Sequence, residues 1–475
     1  MIDFNKEVLA GDFKPTMQSL RQYKTPEWFR DAKLGIWSHW GVQSVPMFGD
    51  WYARNMYIEG HAQYLYHLRH YGHPSVFGYK DLIPLWKAEN FDPDALMSLY
   101  HKAGARYFVA QAMHHDNFDN FDSKYNEYNS VKMGPKKDIV KLWQDSAKKF
   151  NLPFGVTEHL GASHTWWQTN KNADVNGPFA GVPYDGANKE FDDFYHDKIQ
   201  NPANKEWYTT DENFFQKWFW RMKDLIDKYK PDLLYSDGEI PFGKYGMAVV
   251  AHLYNTSINV NGTNEAVYNQ KTPDPYIARV GVLDVERGLR TGIEPEPWQD
   301  DTTLADWFYD AKYPYKSPVY FIETLVDIIS KNGCLLMNVP QLPDGSIDVE
   351  CRFILDKLAE WMSVHSEAVH NTRPWVKFGE GDTNNSEGHF SEKTLEWNER
   401  DFRFTQKGNT IYAFQMKKPE NGKAVIKSLS RDDIKSVRLL GVGEVKYTQS
   451  AAGLEITLPE RNLPEFINCF AVDVI

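Results

Sequence analysis

The residues of this sequence with the most chemistry in them are carboxylates and imidazoles that close apolar runs. Leu233-Leu234-Tyr235-Ser236-Asp237-Gly238 puts a carboxylate at the end of such a run, followed by a Gly that lets the backbone turn. Capping the next helix is the structural alternative for Asp237. Ser236 lacks the Gly-x-Ser-x-Gly setting of a serine nucleophile. A second carboxylate, Glu286 in Val285-Glu286-Arg287-Gly288, closes a later run, with a surface ion pair to Arg287 or Arg290 as its alternative. Two such carboxylates suit glycoside hydrolysis, in which one protonates the departing oxygen and the other attacks the anomeric carbon or activates water.

The imidazoles accompany aromatic rings. Gly35-Ile36-Trp37-Ser38-His39-Trp40-Gly41 ends a strand with His39 between two indoles, and Asp50-Trp51-Tyr52 follows closely. Standing alone, His39 would read as a packed core histidine. His114-His115-Asp116 and Glu158-His159 end two further runs. Adjacent strand residues point to opposite faces, so His114 and His115 are expected to hydrogen-bond a ligand rather than share a metal. His67 and His70, at helical spacing, have no acidic neighbours and read as a solvated or packed face. The three cysteines are widely spaced with no CxxC pair, so neither a disulfide framework nor a thiolate zinc site is expected. The chain has no Gly-rich phosphate loop, which disfavours nucleotide chemistry.

Such side chains must be positioned by a large frame, and 475 residues supply one. Up to about residue 340 a short β-branched or aromatic run, a polar loop and an amphipathic helix alternate, the pattern of a parallel sheet. Strands are expected at 33–39, 106–113, 154–159, 232–237, 267–270, 282–286 and 334–339. About seven strands favour a closed (β/α)8 barrel over a doubly wound sheet, and substrates meet such barrels at the C-terminal strand ends. Asp92 and Pro93 read as a helix N-cap and first turn, and Gly104 as the stop. Two loops, 61–79 and 161–192, look substrate-facing. Beyond a long helix over 349–369, short alternating stretches at 410–416, 423–426, 437–440 and 454–458 read as an antiparallel β-sandwich. The expected division is a catalytic barrel over 1–375 and a sandwich over 376–475.

A net charge of −12 offers no basic stripe for nucleic acid. No apolar run approaches the roughly 20 residues that cross a bilayer. MIDFNKEVLAGDF has neither a basic n-region nor an apolar h-region, so no signal peptide is expected, and the native compartment stays open. Aromatic residues make up 15% of the chain; much of this is expected to be ordinary core, flat faces also suit sugar rings, and composition alone does not choose between the two readings.

Taken together, Trp28-Phe29, Lys33-Leu34-Gly35, the Gly35 to Gly41 segment, Asp50-Trp51-Tyr52-Ala53-Arg54-Asn55-Met56-Tyr57, His114-His115-Asp116, Asn129-Ser130-Val131, Asp237-Gly238, Asn338-Val339 and Thr372-Arg373-Pro374-Trp375 resemble glycoside hydrolase family 29, the retaining α-L-fucosidases, over nearly the whole chain. The resemblance implies a (β/α)8 barrel followed by a β-sandwich. It implies Asp237 as nucleophile, His39, His114 and His115 as sugar-hydroxyl contacts, and Trp37 against the fucose methyl group. Tyr235 takes a position commonly Trp, and Asp50 stands where many members have Glu. Thr157-Glu158-His159 replaces a frequent Tyr-Tyr pair, and Lys271 a frequent Arg. Glu286, whose strand end precedes the Trp298 segment, is the expected acid/base. Trp51, Glu158, His159, Lys271 and Trp298 complete the expected substrate contacts.

The expected activity is therefore exo-acting, retaining release of terminal α-L-fucose from fucosylated oligosaccharides or glycans, with no metal or organic cofactor, no nucleic acid partner and no membrane insertion. An α-L-galactosidase and a non-catalytic glycan-binding protein remain as alternatives. Glycosidic linkage and oligomeric state are not legible.

Overall fold

The computed structural model describes residues 2–199, 206–383, 385–430, 433–460 and 463–475. Eight parallel strands close a barrel in chain order: β1 (Leu34–Ser38), β2 (Tyr107–Met113), β3 (Phe154–Glu158), β4 (Leu233–Ser236), β5 (Val267–Gln270), β6 (Val282–Asp284), β7 (Trp298–Thr303) and β8 (Gly333–Asn338). The ring closes through β1 and β8, with Leu34 opposite Leu335 and Trp37 opposite Asn338. Parallel neighbours need crossovers, and these run through helices such as Pro93–Lys102, Ile139–Lys149, Glu212–Tyr229 and Lys244–Asn261. The first starts as its sequence indicates, with Asp92 accepting from the Ala95 N–H and Pro93 in the first turn.

Seven of the barrel strands fall where the apolar runs place them, with ends shifted by a residue or two. The eighth, β7, is Trp298-Gln299-Asp300-Asp301-Thr302-Thr303, whose polarity hides it from a pattern search. All six residues are buried because their polar groups find partners inside the barrel. Tyr107 donates to Gln299 at 2.9 Å, Gln299 to Asp284 at 2.8 Å, and Asp300 accepts from the Gly288 N–H at 2.8 Å. A buried strand tolerates such residues when most of their polar groups are partnered in this way.

The helix Val349–Val369 spans the expected residues and leads into two antiparallel sheets. One has the order β14-β13-β17-β11-β10-β9 and the other β12-β16-β15. Here β9 is Arg373–Glu380, β10 Phe402–Lys407, β11 Thr410–Gln415, β12 Lys423–Ile426, β13 Ile434–Leu439, β14 Gly443–Glu444, β15 Lys446–Ser450, β16 Gly453–Thr457 and β17 Asn468–Val474. Inward residues of both sheets, among them Phe404, Val437, Leu454 and Ile456, form their own apolar core. β9 straddles the expected division at 375. The six-stranded sheet docks on the barrel helices through a buried ion pair, Arg403 to Asp327 at 2.5 Å, with Lys331 also on Asp327 at 2.7 Å. No helix among the described residues is long and apolar enough to cross a membrane.

Candidate active site

A cavity of about 300 Å³ opens at the C-terminal ends of the barrel strands. Ten of the thirteen residues singled out in the sequence line it. Trp37 and His39 come from the end of β1, with Asp50 and Trp51 from the following loop; His114 and His115 follow β2, and His159 follows β3. Asp237, Lys271 and Glu286 stand one to two residues past β4, β5 and β6.

The centre of the site is a charge bridge. Lys271 Nζ lies 2.6 Å from Asp237 Oδ1 and 2.5 Å from Glu286 Oε2. All three side chains are 14–17% exposed. Burial opposes ionisation of Asp237, but the Lys271 ammonium, then His159 and His115, outweigh it and hold the carboxyl well below its usual range. Burial alone would push Lys271 down, yet Asp237 and Glu286 hold its ammonium well above the ordinary lysine value. Gly238, at φ +127°, turns the chain away directly after Asp237, a conformation that side-chain-bearing residues rarely adopt.

Around this bridge stand imidazoles. His115 donates Nδ1–H to the His159 carbonyl at 2.6 Å, which turns its Nε2 to Asp237 Oδ2 at 3.3 Å. Burial pushes His39 down to about 3, and burial reinforced by neighbouring imidazoles holds His114 well below its usual value. His159 is likewise held low, by burial first. These three rings are therefore neutral hydrogen-bonding groups near neutral pH. Ring nitrogens of His39, His114 and His159 lie within 4.8 Å of one another, a donor set that a metal ion could also use. It differs from the adjacent His114 and His115 pair that the sequence raised. His39 Nδ1, His159 Nδ1, Trp37 Nε1 and Asp301 Oδ1 are buried without a partner among the described residues. Buried polar atoms left in this state are available to hydrogen-bond a polar ligand.

Three expected contacts fall elsewhere. Trp298 opens β7, so in a parallel barrel it lies at the opposite end from the cavity; its Nε1–H donates to the Lys331 carbonyl at 3.0 Å. Glu158 ends β3 but turns outward, accepting from Trp218 Nε1 and the Gly161 N–H, each at 3.1 Å. Tyr235 is fully buried behind the cavity wall, its ring 5.1 Å from Trp37 and its hydroxyl 3.1 and 3.0 Å from Asp284 and Asp301. Alternation along β4 explains this: Tyr235 and Asp237 share one face, and the deeper of the two meets the barrel core. Nor do the loops 61–79 and 161–192 line the cavity. They pack on each other, with Asp174 accepting from Tyr64 and Tyr184 at 2.5 Å and pairing with His73 at 3.1 Å. His67 is packed too, between the Tyr52 hydroxyl at 2.9 Å and the Phe77 carbonyl at 2.8 Å.

Four lining residues escaped the sequence reading: Trp207, Asp301, Trp307 and Phe390. Asp301 sits in the unrecognised β7, so recognising that strand would have found it. The others lie in loops without periodicity. Phe390 comes from the segment that joins β9 to β10 of the sandwich, where His389 accepts the Glu286 N–H at 2.9 Å and donates to the Lys271 carbonyl at 3.0 Å.

If the imidazoles hold a sugar rather than an ion, His39→Ala, His114→Ala and His115→Ala should each lower kcat/KM by about 2 to 4 kcal/mol of transition-state stabilisation, since each loss strands a ligand hydroxyl. EDTA should leave steady-state rates unchanged. Activity lost on chelation and restored by zinc would assign the histidines to a metal.

Residues 1–367 match the family model described as Alpha-L-fucosidase, and residues 396–471 match the one described as Alpha-L-fucosidase C-terminal domain. The rat tissue alpha-L-fucosidase is 27% identical over 462 residues, covering 94% of this chain and 89% of that protein. Human plasma alpha-L-fucosidase is 28% identical over 382 residues, covering 77% and 73%. Among solved structures, the Thermotoga maritima alpha-fucosidase in complex with fucose superposes with a TM-score of 0.77 at 25% identity, covering 97% of this chain and all of that one. With both halves of the chain matched in order, and the barrel and sandwich in the places those matches require, the chain belongs to the alpha-L-fucosidase family.

Proposed function

We propose that this protein is an exo-acting α-L-fucosidase that releases terminal α-L-fucose from oligosaccharides or glycoconjugates with net retention, by double displacement. One observation carries the reading: a single ammonium holds Asp237 and Glu286 together at the mouth of a barrel, beside unpartnered imidazole and indole nitrogens. Because both carboxylate oxygens lie within hydrogen-bond distance of Lys271 Nζ, they fall inside the roughly 5 to 5.5 Å spacing of retaining glycosidases, too close for the water an inverting enzyme must place between them.

In the proposed first step a carboxylate oxygen of Asp237 attacks the anomeric carbon as the bond to the glycosidic oxygen breaks, and Glu286, entering this step in its protonated form, gives that oxygen its proton. The products are the free alcohol and a fucosyl ester of Asp237. In the second step Glu286 takes a proton from water, whose oxygen attacks the same carbon and frees Asp237. Forming the ester removes the negative charge of Asp237, which leaves Glu286 as the close carboxylate partner of Lys271 in the step where it must act as a base.

A second reading has one observation in its favour. Asp301 Oδ1 is buried, unpartnered and part of the cavity lining, and Tyr235 joins Asp301 to the Trp37 side of the site. A polar atom there would suit the hydroxymethyl group of an α-L-galactoside better than a methyl group. Initial rates on aryl α-L-fucoside and aryl α-L-galactoside, with the released sugar followed by NMR, test both readings. The fucoside should be the faster substrate, and α-L-fucose should appear before mutarotation. Faster release of L-galactose would favour the second reading, β anomer first would mean inversion, and no release from either would mean a binding protein.

A further inference from the structure

Between the two family matches lies a strap, residues 385–392, that runs back from the sandwich to the mouth of the barrel. It lies antiparallel to the segment carrying Glu286. Phe390 N–H donates to the Glu286 carbonyl and Glu392 N–H to the Arg287 carbonyl, both at 2.8 Å, while Gly388 and Leu289 form a β-bridge. The two segments approach so closely that a Cβ on Gly288 would sit 2.2 Å from the Gly388 carbonyl oxygen. Glu392 anchors the far end, taking Arg287 at 2.8 Å and Thr302 at 2.7 Å, with Lys316 and Tyr320 also on its carboxylate. His389 ties the strap to the backbones of Glu286 and Lys271.

What this anchored strap presents is one ring. Phe390 lines the cavity yet is 67% exposed, and it holds a left-handed backbone at φ +55° that a bulky residue avoids unless its surroundings impose it. An exposed, strained aromatic on a rigid support is placed for a ligand rather than for packing. Its position says which part of the ligand. The leaving group departs from the oxygen that Glu286 protonates, so whatever stands beside Glu286 at the open end meets the leaving group, not the fucose.

We propose that Phe390 is the platform for the leaving-group sugar, stacking on the first ring beyond the scissile bond. The inference rests on the fucosidase reading above. What it adds is the residue that favours α-L-fucosides whose alcohol is itself a sugar over simple alkyl fucosides.

The test compares an α-L-fucosyl disaccharide with methyl α-L-fucoside. Both leaving groups need a proton from Glu286, and only one carries a ring. In Phe390→Ala the ratio of kcat/KM for the disaccharide over the methyl fucoside should fall roughly tenfold, mainly through KM, and Phe390→Trp should restore it. An unchanged ratio, with both substrates slowed equally, would make Phe390 a support for Glu286 and overturn the platform. Failure of the wild-type protein to hydrolyse either substrate would instead remove the fucosidase reading, and the subsite with it.

Discussion

Asp237→Gly should lose at least about three decades of kcat on an aryl α-L-fucoside while keeping its fold, because no other group can form the covalent ester. Folding is expected to survive since Asp237 follows β4 rather than lying within it, and since its removal leaves Lys271 paired with Glu286. The chemistry of rescue is more telling than the loss. With the nucleophile gone, azide has room to attack the anomeric carbon of bound substrate from the face Asp237 occupied, and one displacement inverts the centre. The product should therefore be β-L-fucosyl azide. A variant retaining a tenth of wild-type turnover, or a rescue product of α configuration, would take Asp237 out of the role.

Glu286→Ala should show the complementary pattern. Loss of the acid matters in proportion to how badly the leaving group needs a proton, so turnover of a fucoside with a poor leaving group should fall by about two to four decades. An activated aryl fucoside should still form the fucosyl ester, and the slow step becomes its hydrolysis without a base. Azide, which needs no base, should then release the sugar by a second displacement, giving α-L-fucosyl azide. Opposite azide anomers from the two variants would assign both roles in one experiment. The competing carboxylates are separated by position. Glu239 is exposed two residues beyond Asp237, and Glu294 and Glu296 line a second cavity with Trp298 at the other end of the barrel. Azide rescue in any of these three, with Glu286→Ala near normal, would move the acid/base role there.

Much of this was legible in the sequence because it is encoded locally. Apolar runs bounded by polar residues located seven barrel strands, since most strands buried on both faces are apolar along their length. The parallel order followed from alternation with helices, and the ends of those runs singled out Asp237, Glu286, His39, His114, His115 and His159 because chemistry in a barrel sits where strands stop. The motifs at 35–41, 50–57 and 114–116 carried the family. Tertiary structure decided what local pattern cannot hold. β7 is a polar strand stabilised by partners on β2, β6 and the loops, so nothing in its own six residues announces it. Trp298 reads as an aromatic beside the acid/base, and only the direction of β7 sends it to the far end. Glu158 and Tyr235 lie at or near the ends of runs as His39 does, yet Glu158 turns outward to Trp218, and Tyr235, deeper on the face it shares with Asp237, sits behind the wall against Asp284. Lys271 was visible as a substitution, but its place between two carboxylates depends on three strands meeting at one mouth. Phe390 lies 104 residues beyond Glu286 in the chain and beside it in space, a proximity set by the docking of the sandwich on the barrel rather than by any spacing in the sequence.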